Sequence, residues 1–138
     1  MYKYMLDTNI CIFFNKGVAA VRDRLGSIGF ERCAISEITY AELLYGVASS
    51  DAREKNQRTL EIFLTDLAIL PIRSALPLFA SEKARLRRLG MPVDNFDLLI
   101  GATAVHHGLT LVTNNTRHFQ RIEGIELEDW THKPDASR

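Results

Sequence analysis

Short uncharged apolar runs alternate along this chain with longer stretches in which apolar residues recur every three or four positions. The runs Tyr2-Lys3-Tyr4-Met5-Leu6, Cys33-Ala34-Ile35-Ser36, Ala68-Ile69-Leu70-Pro71-Ile72 and Leu109-Thr110-Leu111-Val112-Thr113 are short and β-prone, and they predict buried strands. Pro71 puts the third at an edge or marks its end. Ile125-Glu126-Leu127 predicts a last edge strand. Between them, Thr8 and Asn9 are good N-caps for a helix over Ile10 to Phe14, and a short helix follows over 18–25. Ser36 caps a helix through Tyr45, with Gly46 weakening its end. The stretch 50–67 reads as an amphipathic helix and 75–89 as the next. Asp94 caps a helix that Gly108 ends, and 116–120 predicts a short one. Strands alternating with helices predict the α/β class, with a central, mostly parallel sheet of four to five strands flanked by helices.

At 138 residues the chain predicts a single domain over 1–132 with a frayed tail at 133–138. Apolar residues make up 46% and charged ones 25%, as in ordinary soluble proteins. Lys plus Arg and Asp plus Glu number 17 each, so attraction to a polyanion has to come from local patches or a bound cation. The clustered cations are Lys83, Arg85, Arg87 and Arg88. They suit a solvated helix terminus as well as a phosphate backbone. No apolar run approaches bilayer length, and the start lacks the layout of a signal peptide. Cys11 and Cys33 sit inside apolar runs, which predicts buried reduced thiols in a cytoplasmic protein. The adjacent His106 and His107 do not share a helix face and read as a polar terminus.

The chemistry centres on Asp7, placed where a strand gives way to a helix. Open α/β sheets keep their binding crevices at such strand ends. Taken alone, Asp7 is better explained as a helix cap; its company further along the chain changes that. Glu42 has no cation three or four positions away to account for it, so it is either a solvated surface residue or a carboxylate aimed at the same crevice. With Asp94 capping its helix, Asp97 falls in the first turn. If the ends of the first, second and fourth strands converge on one edge, Asp7, Glu42 and Asp97 share a pocket. Two carboxylates about 4 Å apart repel by roughly 4 kcal/mol at an effective dielectric near 20, so three of them call for a cation. A donor set of oxygens alone favours Mg²⁺ or Mn²⁺ over zinc. Ions held this way suit phosphodiester hydrolysis.

Four stretches then resemble one family: Met5-Leu6-Asp7-Thr8-Asn9, Thr39 to Gly46, Pro92 to Ala104, and Leu111 to Phe119. Together they are similar to the PIN-domain ribonucleases, specifically the VapC toxins of type II toxin–antitoxin systems, from Tyr2 to Trp130. The resemblance implies a Mg²⁺- or Mn²⁺-dependent endoribonuclease, with tRNA as the favoured substrate, neutralised by a cognate antitoxin. Asp7, Glu42 and Asp97 match its acidic metal-site positions. Thr113 and Asn115 match polar residues beside the site, with Thr8, Asn9 and Asp94 as further supports. Arg85, Arg87, Arg88, Arg117 and Lys55 are candidates for RNA backbone contacts. The family often carries one more acid before the last Phe, where this chain has His118. The resemblance also favours a homodimer, within a larger toxin–antitoxin complex. Its expected surface is Phe63, Leu64, Leu67, Leu78 and Phe79, which core packing explains as well.

Other classes fit less well. A haloacid-dehalogenase phosphatase wants a second Asp where Asn9 stands. A receiver domain wants paired acids and a late Lys, and no G-x-G-x-x-G supports a dinucleotide fold. A PIN scaffold that binds RNA or protein without cutting stays open because of His118.

Overall fold

The apolar runs pair side by side, all parallel, in the computed structural model, which describes residues 1–132. The tail expected at 133–138 lies outside those residues. The strands are β1 (Tyr4–Leu6), β2 (Cys33–Ser36), β3 (Ala68–Leu70), β4 (Thr110–Val112) and β5 (Leu127–Glu128), in the spatial order β3-β2-β1-β4-β5. Every residue of β1, β2 and β4 is buried. That explains why these runs carry no charge: a parallel sheet covered on both faces leaves neither side to water.

Side chains alternate between two cores. Tyr4, Leu6, Cys33, Ile35 and Val112 face one, while Met5 and Leu111 face the other. The first core is closed by helices α1 (Thr8–Asn15), α2 (Ala19–Ile28), α3 (Glu37–Ala48) and α4 (Arg53–Leu64) through Ile10, Val21, Leu43 and Leu60. The second is closed by α5 (Leu76–Arg88), α6 (Asn95–His106) and α7 (Thr116–Phe119) through Leu86, Leu98 and Phe119. Cys11 and Cys33 are buried free thiols, and burial pushes Cys33 up to about 12. Among the described residues no helix is long and apolar enough to cross a membrane.

Several boundaries differ from expectation. The N-cap of α1 is Asp7 itself, whose carboxylate accepts the Thr8 amide, so the helix begins at Thr8. Helix α3 runs past Gly46 to Ala48, because one helical glycine costs only about 1 kcal/mol relative to alanine. The helix expected over 50–67 is confined to Arg53–Leu64, and β5 starts two residues later than expected. The expected dimer surface divides: Phe63 and Leu67 are buried, while Leu64, Leu78 and Phe79 are half-buried. Phe63 packs against Phe14 and Phe30, with ring centroids 5.2 Å and 6.0 Å away, on the side of α4 that joins the first core.

Trp130 ties the end of the described chain back to β1. Its ring meets Tyr4 edge-on at 5.2 Å, and its Nε1 donates to Glu128 at 3.0 Å. Gly101 brings α6 close to the segment after α7: a Cβ there would collide with Ile122 Cδ1 and lie 3.6 Å from Phe119. Gly101→Val is therefore expected to overpack this seam and cost about 1–3 kcal/mol. Urea unfolding followed by the fluorescence of Trp130, the chain's one tryptophan, measures this.

Candidate active site

The parallel register of the central strands decides what surrounds Asp7. Leu6 lies opposite Val112 in the β1–β4 ladder, and the Asp7 amide donates to the Val112 carbonyl at 2.9 Å. The next residues out of the two strands, Asp7 and Thr113, therefore emerge together. Thr113 is fully buried, and its hydroxyl donates to Asp7 Oδ2 at 2.8 Å. Asp7 Oδ1 accepts the Thr8 amide at 2.8 Å. Both oxygens of this carboxylate, 6% exposed, are thus held by the protein.

On the other side of β1, Ser36 ends β2 and caps α3 by accepting the Thr39 amide at 3.2 Å. Thr39 and Glu42, three positions apart, rise on one face of that helix towards β1. The Thr8 hydroxyl donates to Glu42 Oε1 at 2.6 Å and also lies 3.2 Å from Thr39 Oγ1. A hydroxyl has one proton to give, and the carboxylate is the stronger acceptor, so Thr8 serves Glu42 first. Asp97 arrives from the second core. Asp94 caps α6 by accepting the Phe96 amide at 3.1 Å, which leaves Asp97 in the first turn. Its Oδ2 lies 3.1 Å from His118 Nε2 on α7.

The acids interact electrostatically. Burial raises Asp7 above the ordinary carboxylate range; the Thr113 and Thr8 hydrogen bonds pull it down, and the charges of Asp97 and Glu42 push it up. Asp97 is raised by burial as well; His118 offsets part of this, and Asp94 and Glu42 add to it. Yet among the described residues no three Asp, Glu, His or Cys side chains already stand as a set able to hold an ion. Without a cation each carboxylate is satisfied by its own donor. The donor chemistry still fits Mg²⁺ or Mn²⁺. Mg²⁺ keeps several waters and is commonly bound by one or two carboxylates plus substrate phosphates, so a preformed cage is not required.

The expected supporting residues divide into two groups. Thr8 and Thr113 touch the acids directly. Asn9, Asp94 and Asn115 are exposed, and Asn115 contributes its backbone amide, which donates to Thr113 Oγ1 at 3.0 Å. Arg85 is committed elsewhere: it grips buried Glu82 at 2.7 and 2.9 Å and donates to the Arg121 carbonyl. Arg87, Arg88, Arg117 and Lys55 are exposed. Thr39 escaped the sequence reading as a site residue, and His118, placed there at the family's further acidic position, was not matched to Asp97. Thr39 was discoverable from its spacing to Glu42. The pairing of His118 with Asp97 leaves no local signature.

A raised carboxylate makes a definite contribution to stability. The folded state holds the proton of Asp7 more tightly than the unfolded chain, so stability falls as pH rises from the unfolded value of about 3.8 through the higher folded one. Above that window the ionised group is a standing cost. Asp7→Asn is expected to raise the melting temperature at pH 7. The difference should vanish below the ordinary carboxylate range. Thermal melts across pH 3–8 check both statements.

Comparison with known proteins follows the same lines. The PIN domain family model matches residues 4–125. The chain is 41% identical over 133 residues to the tRNA(fMet)-specific endonuclease VapC of Shigella flexneri, covering 95% of this chain and 100% of that one. Ribonuclease VapC2 of Rickettsia felis is 40% identical over 130 residues, covering 92% and 97%. A chain of the DNA-bound VapBC of Salmonella typhimurium superposes with a TM-score of 0.88 at 42% identity, covering 94% and 99%. A match over this much of each partner, in sequence and in backbone alike, places the chain in the PIN-domain family, among the VapC ribonucleases.

Proposed function

We propose that this chain is an endoribonuclease toxin that cuts tRNA, with tRNA(fMet) as the first candidate, through a Mg²⁺ or Mn²⁺ site on Asp7, Glu42 and Asp97, and that a cognate antitoxin restrains it. The observation that carries the metal-dependent reading is the set of three mutually repelling carboxylates at the carboxyl edge of the sheet. Asp7 is buried there even though burial disfavours its charge. Capping α1 accounts for Asp7 but not for the approach of two more acids, which a cationic ligand would neutralise. The named activity of the Shigella relative supports the substrate. The VapBC complex of Salmonella supports the partner.

When bound, the dication would supply charge neutralisation at the phosphate and an acidified water. The chain's own residues do the remaining work. Thr113 and the Thr8 amide fix both Asp7 oxygens, so the carboxylate does not swing as charge develops nearby. Thr8 fixes Glu42 from the opposite side. Asp97, a third exposed and paired with His118, presents its carboxylate to the crevice from the second core. Arg117, next to His118 on α7, and Arg87 and Arg88 at the end of α5 offer phosphate contacts. A cavity of about 430 Å³, lined by Ile12, Lys16, Glu42, Leu43, Lys55 and Leu60, opens beside Glu42 and offers a place for a partner's side chains.

In a tRNA cleavage assay, Asp7→Asn, Glu42→Gln and Asp97→Asn should each lose on the order of 100-fold or more, the scale of removing a group that stabilises transition-state charge. Chelation should abolish cutting by the wild type, and Mg²⁺ or Mn²⁺ should restore it. Undiminished cleavage by these folded variants would overturn the carboxylate mechanism. Thr113→Val, which leaves Asp7 in place without its hydroxyl donor, should lower kcat more than it raises KM.

A further inference from the structure

His118 is the one side chain in the crevice that brings nitrogen to an otherwise oxygen-only set of donors. It is not loosely placed. Its amide donates to the Asn115 carbonyl at 3.1 Å, the next residue Phe119 is 1% exposed in the core, and the two rings meet edge-on at 5.9 Å. The imidazole therefore sits on a short helix anchored to the second core, with its Nε2 3.1 Å from Asp97 Oδ2 and 28% of its side chain exposed.

That spacing has a second meaning. Neighbouring donors of an octahedral dication with bonds of about 2.0–2.1 Å lie roughly 2.9–3.0 Å apart. Nε2 and Oδ2 already stand at nearly that separation, and both are partly open to the crevice. A neutral imidazole carrying its hydrogen on Nδ1 offers the Nε2 lone pair to an ion. Imidazole is a borderline donor that suits transition metals better than Mg²⁺.

Building on the carboxylate–metal reading, we propose that His118 is a nitrogen ligand of the dication at Asp97, and that this chain therefore favours Mn²⁺ over Mg²⁺. The competing explanation is a hydrogen bond that merely orients Asp97. The two separate cleanly, because His118→Gln retains an N–H donor but removes the imidazole nitrogen.

The test uses the full-length, metal-free protein loaded with Mn²⁺ and pulsed electron paramagnetic resonance, which detects a directly bound imidazole ¹⁴N. The wild type should show that coupling; His118→Gln and His118→Glu should bind Mn²⁺ without it. Calorimetry should find the Mn²⁺-over-Mg²⁺ preference reduced about tenfold or more in both variants, the scale on which groups at a metal site tune affinity. Bound Mn²⁺ without nitrogen coupling in the wild type overturns the role of His118 and leaves the carboxylate site standing. Coupling that persists in both variants assigns the nitrogen to another residue and also overturns it. Failure of the wild type to bind Mn²⁺ at all removes the carboxylate–metal reading together with this one.

Discussion

Like charges crowded at the edge of a sheet are the constraint around which this molecule is arranged. Asp7 is nearly buried, and it feels Glu42 and Asp97 without a neutralising side chain of its own. A charge in that position is tolerable only where every other polar atom is satisfied. Here the backbone of Thr8 and the hydroxyl of Thr113 hold one acid, the hydroxyl of Thr8 holds the second, and an imidazole holds the third. No buried side-chain nitrogen or oxygen among the described residues lacks a partner. The crevice is therefore ordered before any ligand arrives.

The sheet makes this order inexpensive. Three adjacent parallel strands end at one level, and each delivers a polar residue immediately beyond its last apolar one: Asp7 after Leu6, Ser36 at the end of β2, and Thr113 after Val112. Helices leave that same edge with their amide ends towards it, an arrangement that favours negative charge in their first turns. Asp7 both caps α1 and stands within the electrostatic reach of Glu42 and Asp97, so one residue serves the fold and faces the crevice.

Much of this was visible in the residues themselves. Strands covered on both faces have to be uncharged, so the three central ones stood out, and the strand–Asp–Thr–helix turn located Asp7 without any contact information. The likeness between Leu6-Asp7-Thr8-Asn9 and Val112-Thr113-Asn114-Asn115 hinted that the two turns are equivalent; the strand register makes them neighbours. What stayed hidden depends on distances through space. Periodicity marks an apolar stretch but not what covers it, so Phe63 and Leu67 suited a partner surface and the core alike, and they are core. Arg85 looked like a free cation, although Glu82 three positions earlier was a legible clue to its ion pair. The partner of His118 lies 21 residues back on another helix, beyond the reach of any local pattern.

The bond between Thr113 and Asp7 spans 106 positions of sequence. Among the described strands the central one, β1, precedes the other four, and its neighbour β4 follows β2 and β3. The two walls of the crevice thus come from opposite ends of the described chain, and no fragment that stops short of β4 contains both. A product truncated anywhere before Thr113 therefore lacks one wall of the crevice.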